Sequence, residues 1–469
     1  MLIHRFKTKN NFYVYDTCTN KILQVDRIVW DILGGKKAGY APEKLKGAEE
    51  AIENAKKSGL FSHSPLKGLK FPFETIPERL KNLRQLILNL TEKCNLRCRY
   101  CVYSGSYYYE RTHSDKMMPW DVARRAIDYF LENAIKEKRP FITFYGGEPM
   151  LNPEVFRKSV LYAKERRPDV RFNFTTNGVY LPDDMLDFLV QNRVFFSVSL
   201  DGPQEIHDRY RVKANGEGTF RDVVRTLRRI REKDEEYFNT CVGFIVTIAP
   251  PYDLLAIDDF FSSFELFPET SSVVVSLVDE NDTTFFEGWK REELEEIKIK
   301  NFEKAKDRFV ELITSGRRSA FLNGLFDGNL ILIHKREMTP LPPYHYPNGI
   351  CLPGERRLFV STDGKFYICE KMGERLPIGD VERGIDIEKV ENLIKRFIEI
   401  SDECLNCWAV RLCNACFIAA KKGNELSRER KKENCEGIRS TIDFYLTLYT
   451  EIREKKEDAL DYLKNVEME

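Results

Sequence analysis

Apolar and polar residues recur along this chain in two different rhythms. Near the start, residues 12–16 and 21–25 alternate as strands do, and 27–33 then carries apolar residues at helical spacing. A second amphipathic stretch, 49–57, stops at Gly59, and Ser64 to Pro77 reads as a linker. From Leu86 the rhythm changes. Apolar strands at 86–90, 141–145, 172–176, 195–200, 242–248 and 273–278 are separated by amphipathic helices such as 120–137, 155–166 and 219–233. Six strand–helix units predict an α/β fold with a parallel sheet, open or curved into a partial barrel. Chemistry in such folds gathers in the loops at the C-terminal strand ends. Beyond the sixth strand, 292–314 reads as a charged connecting helix, 351–435 as irregular structure, and 436 onward as a helix.

Composition narrows this picture. Of 469 residues, 42% are hydrophobic and 32% charged, enough apolar surface to offset the ordering entropy of a folded chain. Lysine plus arginine and aspartate plus glutamate both number 74, so no global positive field draws in nucleic acid or an anionic membrane. No apolar run reaches the roughly 18 residues of a membrane helix, and the first residues lack a signal-peptide core. The chain therefore reads as cytoplasmic, with neither membrane nor nucleic acid as a partner. Residues 221–233 are basic, but Val223, Val224, Leu227 and Ile230 make them a barrel helix with a solvated face.

Cysteine carries the candidate chemistry. In a reducing compartment, clustered cysteines are metal ligands more often than disulfides. Ten of the twelve fall in two groups: Cys94, Cys98 and Cys101, and then Cys351, Cys369, Cys404, Cys407, Cys413, Cys416 and Cys435. Cys18 and Cys241 stand apart and read as small buried hydrophobes. The first group, C-x3-C-x2-C, follows the first predicted strand. Three thiolates on one tight loop can ligate three irons of a [4Fe–4S] cube and leave the fourth for a non-protein ligand. A zinc knuckle would need a distant fourth ligand. The second group contains two C-x2-C pairs, but only five residues separate Cys407 from Cys413, against the roughly 15–20 of a zinc ribbon.

The first group and its context resemble the radical S-adenosylmethionine (radical SAM) superfamily. Gly146-Gly147-Glu148-Pro149 follows the second strand, Asn177-Gly178 the third, and Ser199-Leu200-Asp201-Gly202-Pro203 with His207-Asp208-x-x-Arg211 the fourth. The resemblance implies that the Gly146 to Pro149 motif contacts the methionine amino group, its glycines admitting the ligand to the backbone. It also places Asn177 and Ser199 at the cofactor, Ser199 near the ribose, and Arg211 near the carboxylate. The implied chemistry is homolytic, a 5′-deoxyadenosyl radical abstracting hydrogen from an unactivated carbon. The intact motifs argue against a mere iron–sulfur electron carrier, which has no use for a sulfonium site.

The second group resembles the SPASM extension of that superfamily, seven cysteines holding two auxiliary [4Fe–4S] clusters. The usual x3 between its fifth and sixth cysteines is x2 here. By position, one cluster takes Cys404, Cys407, Cys413 and Cys435, and the barrel-side cluster takes Cys351, Cys369 and Cys416, one thiolate short. Relatives that make formylglycine in sulfatases have an extra cysteine soon after the first, which is missing here, and an aspartate where this chain has Glu370, the candidate catalytic base.

Residues 1–80 resemble the winged-helix-like peptide-recognition domain of ribosomal-peptide maturases, in which a leader peptide adds a strand to a sheet edge. A structural cap and a DNA-binding winged helix fit the same pattern. The resemblance thus divides the chain into a peptide-recognition domain (1–80), a partial (β/α)6 radical SAM barrel (84–285), a helical connector (286–345), a SPASM domain (346–440) and a C-terminal helix (441–469). It implies three [4Fe–4S] clusters, S-adenosylmethionine and a flavodoxin- or ferredoxin-type reductant. The expected reaction forms cysteine thioether crosslinks in a precursor peptide, with carbon–carbon crosslinking, epimerisation and formylglycine formation as rivals.

Overall fold

The computed structural model describes residues 1–136, 138–268, 271, 273–347, 349 and 351–466. Six strands, Gln85–Thr91, Phe141–Gly146, Arg171–Thr176, Phe195–Ser199, Val242–Ile248 and Val273–Leu277, pair in chain order and all in parallel. Alternation along each strand assigns its two faces. Ile142 and Phe144 are fully buried, whereas Phe141, Thr143 and Tyr145 line the barrel interior. Phe144 packs on Phe156 of helix Pro153–Arg166 with ring centroids 4.1 Å apart, and Phe174 meets Phe196 of the next strand at 5.1 Å. This aromatic layer holds strands to helices and leaves the inner face free for chemistry.

Several boundaries differ from the sequence reading. The helix expected over 120–137 ends at Asn133, because Ala134 leaves it to bridge Leu83 and the Ile135 amide donates to the Leu83 carbonyl at 2.9 Å; residue 137 lies outside the described residues. The segment 286–345 is more than a connector. After helix Arg291–Thr314 comes Ala320–His334, whose Phe321, Leu322, Phe326 and Leu330 are fully buried. That helix lies so close to the sixth strand that a Cβ on Gly324 would sit 2.1 Å from the Val273 carbonyl oxygen.

The sheet also continues past the barrel. Strand Arg357–Val360 joins the first barrel strand in parallel, Leu358 opposite Leu86. Lys365–Tyr367, Gly379–Asp380 and Gly384–Ile385 follow antiparallel, giving ten strands in one sheet. The cysteine-rich region is thereby fixed to the barrel by main-chain hydrogen bonds. Residue 440 falls inside one continuous helix, Arg428–Lys455, so the cysteine-rich region and the C-terminal helix share an element; residues 467–469 lie outside the described residues.

At the N-terminus, strands Ile3–Lys7, Phe12–Asp16 and Lys21–Val25 form an antiparallel meander backed by helices Arg27–Leu33 and Pro42–Lys57. The meander is docked on the C-terminal helix. Thr8 Oγ1, Asn11 Nδ2 and Tyr13 OH donate to Glu454 Oε1 at 2.8, 2.8 and 2.7 Å. His4 stacks on Trp408 at 3.7 Å, and Thr17 Oγ1 donates to the Trp408 carbonyl at 2.6 Å. The linker after it is tied down as well, since Gly68–Leu69 pairs with Tyr344–His345. Among the described residues, no helix is long and apolar enough to cross a membrane.

Candidate active site

The loop after the first barrel strand carries Cys94, Cys98 and Cys101, and segments that follow the next three strands hold it. The Gly147 amide donates to the Thr91 carbonyl at 2.8 Å, and the Glu148 amide to that of Lys93 at 2.9 Å. Arg97 and Arg99 amides donate to Val212 and Tyr210 carbonyls at 2.7 and 2.9 Å. Asn177 Nδ2 donates to Asn95 Oδ1 at 2.7 Å and lies 3.9 Å from Cys94 Sγ. The loop is thus laced to the ends of the second and third strands and to the end of helix Gln204–Tyr210 after the fourth.

Gly146 and Gly147 owe their place to this lacing. Gly146 has φ +151°, and a Cβ there would stand 2.4 Å from the Thr91 carbonyl oxygen; on Gly147 it would stand 2.2 Å from that of Lys93. Both glycines permit the close approach of two backbone segments. Pro149 opens the short turn Pro149–Leu151. The Glu148 carboxylate accepts from Thr176 Oγ1 at 3.0 Å, the Asn177 amide at 2.8 Å and the Met150 amide at 3.1 Å. It is 1% exposed, and burial pushes its pKa up to about 7 against these hydrogen bonds. Its side chain therefore faces protein partners, and main-chain groups are what the motif has to offer a ligand.

Arg211 is buried beside the loop. Its Nε donates to Asp201 Oδ2 at 2.9 Å, while its two terminal nitrogens make no hydrogen bond among the described residues. Burial works against its charge, yet Asp201, Tyr100 and Cys98 beside it hold its pKa above the ordinary range. Asp201 also accepts from Tyr100 OH and, through Oδ1, from the Thr247 amide at 3.0 Å. Sequence reasoning singled out neither Tyr100 nor Asn95; for Tyr100, an aromatic between the second and third cysteines was the available signal. His207 and Asp208 are structural. His207 Nε2 lies 2.9 Å from Thr219 Oγ1, and Asp208 Oδ1 accepts from the Thr219 and Phe220 amides at the start of helix Phe220–Lys233. Ser199, 7% exposed, ends the fourth strand.

Burial raises the thiol pKa values of Cys94 to about 12, of Cys98 to about 11 and of Cys101 as well. Charge on Cys98 and Cys101 raises Cys94 further, and charge on Cys101 raises Cys98, so the set favours a cationic group that holds all three as thiolates. The same effect ties Cys351 to Cys369 and Cys416, and Cys413 to Cys404, Cys407 and Cys435. Burial pushes Cys351 to about 12, and Cys369 and Cys413 to about 11. Cys404, Cys407, Cys413 and Cys435 line one small cavity. Among the described residues, no three His, Cys, Asp or Glu side chains are spaced to hold a single metal ion. A [4Fe–4S] cube, with its four irons at alternate corners, takes thiolates set apart around a space.

A cavity of about 1760 Å³ runs through the barrel, reaching Cys101 on one wall and Cys416 on another. Tyr103, Tyr145 and Glu370 line it as well. Glu370 follows Cys369 and pairs with Arg357 Nη1 at 2.9 Å through Oε1, while its Oε2 is buried without a partner. Tyr145 is pushed up to about 12 by burial and then by the charge of Glu370.

Residues 88–255 match the profile of the Radical SAM superfamily. The chain carries a radical SAM domain. Superfamily members use a [4Fe–4S] cluster with S-adenosylmethionine, which suits the three laced thiols beside Arg211. Around this radical SAM domain the similarity extends further. A cysteine-type anaerobic sulfatase-maturating enzyme of Clostridium novyi is 24% identical over 78% of this chain and 95% of its own length. A radical SAM cyclopropyl synthase of Paramaledivibacter caminithermalis is 19% identical over 97% of this chain and 95% of its own. The solved structure of anSMEcpe with AdoMet and the Cp18Cys peptide bound shares the fold, with TM-score 0.55 and 21% identity, covering 82% of this chain and all of that one.

Proposed function

We propose that this radical SAM enzyme modifies a ribosomally made precursor peptide, joining cysteine sulfur to a carbon of another residue as a thioether. The observation that carries the reading is the cavity. Because it reaches both Cys101 and Cys416, a peptide segment lying in it meets two thiol sets at once. The anSMEcpe structure with a bound peptide supports a peptide in this position.

Cys94, Cys98 and Cys101 would hold the first [4Fe–4S] cluster, Cys351, Cys369 and Cys416 a second, and Cys404, Cys407, Cys413 and Cys435 a third. When bound, these groups and S-adenosylmethionine supply a radical that takes one hydrogen atom from a substrate carbon, and they take up the electron released as the new bond forms. This chain's residues orient and exclude. The free nitrogens of Arg211 receive the methionine carboxylate, the backbone at Gly146 and Gly147 the amino group, and Asn177 and Ser199 close that side. Glu370, with Oε2 unpartnered at the cavity, takes the proton of the substrate thiol. The Cys351 set is one thiolate short of four, which leaves room for that substrate sulfur. The leader pairs with the strand Lys21–Val25, whose outer edge has no backbone partner among the described residues. A flavodoxin- or ferredoxin-type protein supplies electrons.

A second reading, formylglycine formation on a sulfatase, is favoured by the Clostridium novyi relative. The two separate in one assay. The anaerobically reconstituted enzyme with its precursor should give a product lighter by two hydrogens per crosslink, its cysteine protected from alkylation. An aldehyde on a sulfatase peptide that has lost its cysteine sulfur supports the second reading, and unchanged peptides refute both. Hydrogen exchange at residues 21–25 should slow on adding precursor; unaltered exchange during turnover reduces the N-terminal domain to a cap.

A further inference from the structure

One buried charge near the thiols has no use in this scheme. Lys431, 3% exposed, lies on helix Arg428–Lys455 one turn before Cys435. Its Nζ donates to Cys404 Sγ at 3.4 Å, and it lines the same small cavity as the four cysteines. Among the described residues, no carboxylate lies within 4.0 Å of it, since the nearby Asp402 and Glu403 pair with Arg428 and Lys432. Nor does any other charged side chain among the described residues donate to a cysteine sulfur. An ammonium buried without a carboxylate partner is costly; Lys431 Nζ lies 5.7 Å from the centroid of the Phe397 ring, and the anionic groups it faces are the cysteine sulfurs.

We infer that Lys431 raises the reduction potential of the cluster held by Cys404, Cys407, Cys413 and Cys435. The inference rests on the proposed third cluster. A four-thiolate cube is anionic and gains one further negative charge when it accepts an electron. A fixed cation at its sulfur favours the reduced form, as hydrogen bonds and net charge generally do for such clusters. None of these four cysteines lines the large cavity. The cluster would therefore lie behind the reaction space, with a cation at its sulfur that favours its reduced form.

The test is a redox titration of the anaerobic holoenzyme followed by electron paramagnetic resonance, with total iron measured in parallel. In Lys431→Met, one midpoint should move to a more negative value by about tenfold in the reduction equilibrium, about 59 mV for one electron. The other two midpoints should stay, and Lys431→Arg should resemble the parent. Unmoved midpoints in Lys431→Met at full iron content would overturn the inference. Loss of about four of twelve irons in Lys431→Met but not in Lys431→Arg supports charge compensation, whereas equal loss in both shows packing alone and overturns it. A parent enzyme with only about eight irons refutes the third cluster itself, and the role of Lys431 with it.

Discussion

The two cysteine regions are built in opposite ways. The Cys94 loop takes its shape from the barrel, because segments that follow the second and fourth strands supply main-chain partners at Gly147, Glu148, Tyr210 and Val212. The Cys404 to Cys416 region has short turns, Asp402–Asn406 and Phe417–Ala420, and borrows its shape from remote elements. Trp408 beside Cys407 is gripped by His4 and Thr17, and Lys431 reaches Cys404 from the C-terminal helix. A site laced into a parallel sheet is set by local topology, while a site assembled from remote segments depends on their docking.

The largest contrast should come from the thiols. Replacing Cys94, Cys98 and Cys101 by alanine should abolish S-adenosylmethionine cleavage and remove about a third of the iron. Replacing Cys404 and Cys407 should remove a similar share yet leave uncoupled cleavage measurable. Equal loss of cleavage in both would erase the distinction between the two regions.

Next in size is the pH response of Glu148. Its folded pKa of about 7 exceeds the ordinary 4.5, so the stability of its protonated form is fully present below about pH 4.5 and lost as pH rises through about 7. The cost above pH 7 is on the order of 3 kcal/mol. Denaturation of the apoprotein across this window should show a slope that flattens in Glu148→Gln, while the unfolding of the N-terminal meander keeps its own profile.

Smaller still is a pair of glycine substitutions. Gly147→Ala drives a Cβ against the Lys93 carbonyl and should cost about 1–3 kcal/mol, with cleavage falling accordingly. Gly437→Ala, on the C-terminal helix two residues after Cys435, meets nothing within 4 Å and should stabilise by about 0.5–1 kcal/mol. Thermal midpoints and cleavage rates together check both.

Much of the barrel was legible because each strand buries one face under a helix, which writes its pattern into residues such as Ile142 and Phe144. The cysteine spacings and Gly146 to Pro149 stood out in the sequence, and the structure sets the Cys94 loop against that motif. Strand Arg357–Val360 was not, since four residues give little periodicity and its partner lies at the other end of the barrel. Helix Ala320–His334 is apolar nearly all round and so lacks the contrast that marks an amphipathic helix. The inward turn of Glu148 and the Tyr100–Asp201–Arg211 network depend on burial and on groups brought together from separate strands. No spacing rule encodes them.

The docking of the first strands onto Glu454 has a consequence for synthesis. The meander leaves the ribosome well before the helix that receives it. Until then Thr8, Asn11 and Tyr13 face water, and the first barrel strand waits likewise for Arg357–Val360 to cover its edge. The chain must therefore hold both interfaces unfinished until those later segments emerge, and closure of the molecule waits for them.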